Sequence, residues 1–176
     1  MIISVEDARN FADIPDGMSD EKLARKLKAI EQAIRSYTNN NFQDRDYRRS
    51  ADILGASVLL EAPCIFDVGD TVEISESKLN KGLYTVVETG EKFFKVAEKV
   101  RDEKGVLITK IVYPEDVIDT ALNLLAWDIK NRKKAGIVSE TLSRHSVTYD
   151  ANGDNFVMGY PKSLFGGLYS YMKARF

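Results

Sequence analysis

The stretch SDEKLARKLKAIEQAIRSYTNNNF, Ser19 to Phe42, decides how the rest of the chain is read. Leu23, Leu27, Ile30, Ile34 and Tyr37 recur at steps of four and three, which places them on one apolar stripe of a helix. Lys22, Arg25, Lys28, Glu31 and Arg35 are expected on the other faces. Ser19 is a suitable N-cap, and Asp20 and Glu21 complement the positive end of the helix dipole. Asn39, Asn40 and Asn41 stop the helix, because Asn tolerates left-handed backbone geometry. Phe42 then anchors the chain back towards a core. A helix with one greasy stripe needs a partner.

The chain supplies that partner only after a long excursion. Pro114 suits a first helical turn. Val117, Ile118, Ala121, Leu122, Leu125 and Ile129 then form a broad apolar face, widened by Leu124 and Trp127. Gly136 is expected to end this helix. Upstream of the first long helix, Ser4 with Asp7 caps a short helix to about Phe11, and Ile14-Pro15-Asp16-Gly17 is a turn. Between the two long helices the pattern becomes short and β-like. The polar run Asp44–Asp52 is expected to lead out of the helical body. Strands are expected at Ser57–Leu60, Cys64–Phe66, Thr71–Ile74, Leu83–Glu88, Phe93–Val96 and Val106–Val112, with turns between them, one at Asp102–Gly105. Strands this short and this regularly spaced predict a small antiparallel barrel or sandwich, and the VGDTVEI and NKGLYTVVE segments have the look of an SH3-like barrel. After Gly136 the chain is expected to be extended through Tyr149, then to loop and close with a helix opened by Pro161 and weakened by Gly166 and Gly167.

The chain of 176 residues is 44% hydrophobic and 30% charged, with a net charge of −2. These values fit an ordinary globular mixture and argue against wrapping nucleic acid by bulk charge. The single cysteine, Cys64, excludes an intrachain disulfide and fits a reducing compartment. No apolar run reaches the roughly 20 residues of a membrane helix, and no signal-peptide pattern opens the chain. His145 is the only histidine. A zinc site built from one His and one Cys would need several carboxylates. No phosphate-cradling glycine motif is present. Cys64 is therefore expected to be a buried structural thiol and His145 a strand residue. No catalytic, metal or cofactor residues are assigned, and the chain is read as a protein without enzymatic activity.

Three features carry possible binding. Lys130, Arg132, Lys133 and Lys134 crowd one helix end, where they complement the dipole or contact phosphate. Tyr84, Phe93 and Phe94 lie in the β region, where they fill a barrel core or stack on single-stranded nucleic acid. Tyr160, Phe165, Tyr169, Tyr171 and Phe176 crowd the C-terminus beside Met158 and Met172, as core residues or as an adaptable docking segment.

The order of the helical parts resembles a known family. A short capped helix is followed by the turn IPDGMSDE and a long helix ending in SYTNNNF. After the β excursion come YPEDVIDTALNLLAWDIKNRKKAG and SETLSRHSVTYD. This is similar to the head–tail connector, or adaptor, proteins of long-tailed bacteriophages and their prophages. In that family the second helix ends in Tyr-Thr and then an aromatic, here Tyr37, Thr38 and Phe42. A later helix follows a proline, runs through Ala-x-x-x-Leu and ends in Asn-Arg, here Ala121, Leu125, Asn131 and Arg132. An extended Ser/Glu-rich stretch, here Ser139–Ser143, leads to a C-terminal arm. The β region is where the chain departs from the plainest members. The resemblance implies a virion structural protein of the neck, assembled in the host cytoplasm. It implies a closed cyclic ring of about twelve copies between the portal and a stopper or tail protein, lining the channel through which DNA passes. Mild acidity suits a passage that DNA crosses without sticking.

The expected fold is therefore α+β. Residues 1–46 and 113–138 form an antiparallel helical connector body, residues 47–112 an inserted β-barrel-like domain, and residues 139–176 an extended arm with a docking helix. Leu164, Phe165, Leu168, Tyr169, Met172 and Phe176 are the expected portal or neighbour contacts, and the body is expected to fold without the segment after Gly159. Two alternatives stand beside this reading. One is a nucleic-acid-binding module using the barrel and residues 130–134. The other is a stopper or tail-completion protein of the neck.

Overall fold

A computed structural model describes residues 1–131, 139–142, 145–148 and 155–174 of the chain. It is α+β and divides into two compact units. One holds Met1 and Asn40–Tyr113; the other holds Ile2–Asn39 and Pro114–Phe176.

In the helical unit, α1 spans Val5–Phe11, α2 Asp20–Thr38 and α3 Glu115–Asn131. The caps follow the sequence. Ser4 Oγ accepts from the Asp7 N–H at 2.9 Å, Ser19 Oγ accepts from the Lys22 N–H, and Asn39 ends α2 in the left-handed region at φ 49°. Leu23, Leu27, Ile30 and Ile34 are buried, as the stripe predicts, at about 2 kcal/mol of transfer free energy per side chain. Glu31 departs from expectation. It lies between Leu27 and Ile34 on the helix surface and is buried with them, because the covered face is wider than the apolar stripe. The facing residues of α3 are Val117, Ala121, Leu124 and Leu125. Lys26 of α2 makes an ion pair with the buried Asp128 of α3.

The other unit is a closed six-stranded antiparallel barrel, ordered β1(Gln43–Leu54), β2(Ser57–Leu60), β5(Phe93–Val96), β4(Gly82–Thr89), β3(Thr71–Ser75) and β6(Glu103–Ile111), with β6 pairing back onto β1. Val58, Val72, Ile74, Phe94, Val106 and Ile108 fill its interior. Two expectations fail here, each for a physical reason, and one strand goes unannounced in the sequence. The polar Asp44–Asp52 run leaves the helical unit, as expected, but it does so within β1, where β6 supplies the backbone partners, and only its second half alternates into the core. Cys64–Phe66 is not a strand; Phe66 reaches the core from a connecting segment, packed against Phe94 with ring centroids 5.1 Å apart. The expected turn at Asp102–Gly105 lies largely inside β6. A register shift between Ala51 and Ile53 absorbs the turn-forming Gly105, whose φ is +69° and whose N–H donates to Asp52 Oδ1.

Four more strands pair in twos: β7(Ser139–Leu142) with β8(His145–Thr148), and β9(Phe156–Val157) with β10(Tyr160–Pro161). The final helix opens after Pro161, as expected, but spans Lys162–Tyr171 as a 3-10 helix. Paired glycines in its middle weaken the α form.

The connection from β3 to β4 is fastened to one carboxylate. Glu103 accepts from the Ser77 hydroxyl and the Lys78 N–H, both at 2.6 Å, from Asn80 Nδ2 at 2.9 Å and from the Leu79 N–H at 3.2 Å. The Ser77 bond, then the Lys78 bond, hold its carboxyl below the usual value. Buried Asn80 also donates to the Arg101 carbonyl and accepts from the Arg101 N–H. Replacing Asn80 by Ala strips those partners, and urea denaturation is expected to show a loss of about 2 kcal/mol. A lowered carboxyl stabilises the fold above its unfolded pKa, and that contribution disappears as pH falls through the folded one. Glu103→Gln is therefore expected to be less stable than the parent at pH 7, with the difference closing below about pH 4. A gap that persisted unchanged into acid would sink this account.

Candidate docking surface

The last turn of a helix leaves carbonyls that need donors. In α2 these are met partly by the chain's own C-terminal segment. Thr38 Oγ1 bonds back to the Ile34 carbonyl at 2.8 Å, and the Asn39 N–H bonds to the Arg35 carbonyl. The Thr38 carbonyl accepts from the Lys173 N–H at 2.8 Å. The Asn39 side-chain amide donates to the Ala174 carbonyl at 2.7 Å and the Lys173 carbonyl at 3.4 Å. The end of α2 and the end of the chain thus complete each other.

The 3-10 geometry sorts the C-terminal side chains. Residues three apart share a face in such a helix, so Phe165, Leu168 and Tyr171 point together. Phe165 and Leu168 are fully buried. Phe165 packs on Tyr37 of α2 at 4.6 Å between ring centroids and on Tyr160 at 6.3 Å; Tyr160 in turn meets Trp127 of α3 at 5.5 Å. Tyr171 donates to both carboxylate oxygens of Asp116 at the start of α3, at 2.8 and 2.9 Å. That bond raises the Tyr171 hydroxyl above its ordinary value, with burial adding to it. Burial, then a hydrogen bond to Tyr169, does the same for Tyr37. Tyr169 and Met172 fall on a different face and are 55% and 48% exposed.

The residues expected to dock therefore divide. Phe165 and Leu168 are core residues of the helical unit, Leu164 is half-buried, and Tyr169 and Met172 present apolar surface. Phe176 lies outside the described residues. The expectation that the body stands without this segment meets the burial of Phe165 and Leu168 within it. Of the basic cluster, Lys130 is exposed, with its ammonium 3.9 Å from Asp13. Arg132, Lys133 and Lys134 lie outside the described residues.

In the barrel, Phe94 is core, while Phe93 and Tyr84 are half-buried. Phe93 lies over Gly90 so closely that a Cβ there would come within 2.2 Å of the ring. Sequence reasoning missed Tyr47. Between the pairs Asp44–Lys110 and Arg48–Thr109, β1 bulges out at Arg45, Asp46 and Tyr47. The exposed Tyr47 ring lies 5.3 Å from the Lys110 ammonium, which also pairs with Asp70. The dense charge of DRDYRR hid the strand, and so the aromatic on it.

Cys64 is half-buried, its Sγ 3.6 Å from the Phe66 carbonyl, and His145 lies on β8. Among the described residues, no group of three or more His, Cys, Asp or Glu is placed to hold a metal ion, and no helix is long and apolar enough to cross a membrane. The architecture defines an α+β protein with a closed barrel between the two sequence halves of a helical unit. No family model matches the chain, and no curated protein matches it.

The Tyr171–Asp116 bond gives a test by pH. A raised tyrosine stabilises the fold fully below its unfolded pKa of about 10, and the contribution is lost as pH rises through the folded value. Tyr171→Phe is expected to lower the melting temperature at pH 7. It is also expected to flatten the decline in stability above about pH 10. Identical alkaline profiles for the two proteins would show that the bond contributes nothing.

Proposed function

We propose that the chain is a structural subunit of a phage neck: a head–tail connector that forms a ring, docks on the portal and extends the DNA channel towards the tail. In this reading the helices form the connector body and the barrel is an SH3-like insertion. The observation that carries it is the joining of α2 and α3. These two segments hold the family pattern, and they pack together although the whole barrel separates them in sequence. The pattern residues take part in that joining. Thr38, Ala121 and Leu125 are buried, and Tyr37 and Thr38 receive the C-terminal segment. The neck would also accept such a protein at the stopper position. Among the described residues of the expected docking set, Tyr169 and Met172 offer most surface to a portal.

Light scattering across concentration, with negative-stain images of any large species, tests the ring; a closed species of about a dozen copies is the expected result. Because deleting the segment would remove Phe165 and Leu168 from the core, point variants are the discriminating ones for the portal. Tyr169→Ala with Met172→Ala is expected to weaken portal binding at least tenfold, about 1.4 kcal/mol or more, while changing the melting temperature little. Unaltered affinity would remove these residues from the docking face. A second reading, binding to nucleic acid, is favoured by the Arg45–Tyr47 bulge beside Lys110. A monomer whose DNA affinity falls steeply with salt would support it over the ring.

A further inference from the structure

The end of α2 is a cradle already shaped for a short peptide, and its occupant is the chain's own tail. From Leu168 onward the tail is held by one buried side chain and by a set of tethers. These are the Tyr37–Tyr169 hydroxyl pair, Tyr171 on Asp116, the Lys173 N–H on the Thr38 carbonyl, and Asn39 on the Lys173 and Ala174 carbonyls. The tail joins the rest of the 3-10 helix through Gly166 and Gly167. Neither glycine is required by its surroundings. A Cβ on Gly166 would meet nothing within 4 Å. A Cβ on Gly167 would meet only Thr120 Oγ1 at 3.4 Å, and neither residue has a left-handed φ. What glycine supplies at both positions is backbone freedom.

We propose that this cradle is an exchange site: the Leu168–Ala174 tail of one copy occupies the Tyr37–Asn39 and Asp116 cradle of a second copy, with Gly166–Gly167 as the hinge. The contacts in the exchanged form are those already made within one chain, so the exchange keeps them all and alters only the hinge. The seven tail residues lie in the cradle, so the crossing is made by the three Cα steps from Phe165 to Leu168, about 11 Å when extended, which requires the two copies to pack with these sites side by side. Each copy gives one tail and receives one, so exchange between two copies closes a reciprocal dimer, and exchange passed on from copy to copy closes a ring or runs on as a filament. The proposal stands apart from the neck reading, since a monomer-to-multimer exchange can operate in any assembly.

The Tyr37–Tyr169 pair supplies a reporter that needs no substitution. Protein labelled with heavy nitrogen is refolded together with an equal amount of unlabelled protein at high concentration. The multimeric fraction is cross-linked by photo-oxidation of tyrosine, and peptides joined through Tyr37 and Tyr169 are read by mass spectrometry. If tails are exchanged, about half of these joined peptides pair one heavy and one light strand, as random partnering between identical copies requires. If the joined peptides are only heavy–heavy and light–light, or if no multimer forms at any concentration, the proposal is overturned. Gly166→Ala, which the site accommodates, is expected to cut the mixed peptides severalfold while leaving the monomer folded. Tyr171→Phe, which loosens the closed form without touching the hinge, is expected to speed the uptake of label between preformed species. A mixed fraction indifferent to Gly166→Ala would refute the hinge.

Discussion

The packing of α2 on α3 is the constraint on which the helical unit depends. Each helix has one apolar face, and the two faces are brought together from opposite sides of the barrel segment in sequence. The stripe from Leu23 to Ile34 is buried in the unit that also holds Val117, Ala121, Leu124 and Leu125. The Lys26–Asp128 pair adds a directional element to an otherwise non-directional contact. A buried ion pair is a weak source of net stability, because desolvation offsets much of the attraction. Its effect here is to fix which turns of the two helices face each other. Bringing these helices together closes a long loop of chain, and that entropy grows only slowly with length. A loop that folds into its own closed barrel is an economical way to fill the gap.

The barrel meets its own demands by closure. Six short strands would leave two edges open, and the pairing of β6 with β1 removes both. The strands are not uniform, and the irregularities are local. The bulge at Arg45–Tyr47 and the shift near Gly105 both lie on the β1–β6 seam. Around the first of them polar side chains are fastened to one another: Arg48 donates to Thr109 Oγ1 and Gln43, and Gln43 donates to Glu73. A seam that carries extra residues on one strand needs such tethers, because the ladder itself is interrupted there.

At the end of the chain, two kinds of force divide the labour. Phe165 and Leu168 are held by burial, whereas Tyr171, Lys173 and Ala174 are held by hydrogen bonds at or near the surface. Burial of a large side chain fixes position strongly and without direction. Hydrogen bonds exposed to water contribute little each, because water offers the same partners. The segment is thus firmly seated at one end and lightly fastened at the other, with two glycines between Phe165 and Leu168.

Local pattern made much of this visible in advance. The period of α2, its Ser19 cap and its Asn39 stop are written in neighbouring residues, and the structure follows them. The strands with apolar alternation, such as Thr71–Ser75 and Phe93–Val96, were legible for the same reason. What the sequence hid were features whose cause is distant in the chain. Gln43–Leu54 is a strand because β6 and β2 supply its ladder, not because of its own composition. Glu31 is buried because the face covered in the folded unit is broader than the stripe. Tyr47 is presented outward because β1 bulges between Asp44 and Arg48. Phe165 and Leu168 read equally well as docking or core residues, since an apolar side chain carries no label of what will cover it. The sequence by itself determined the helices, their caps and the presence of a β region, through interactions spanning a few residues. Tertiary structure alone decided closure of the barrel, the pairing of α2 with α3 and the seat of the tail, because each rests on contacts between residues far apart in the chain.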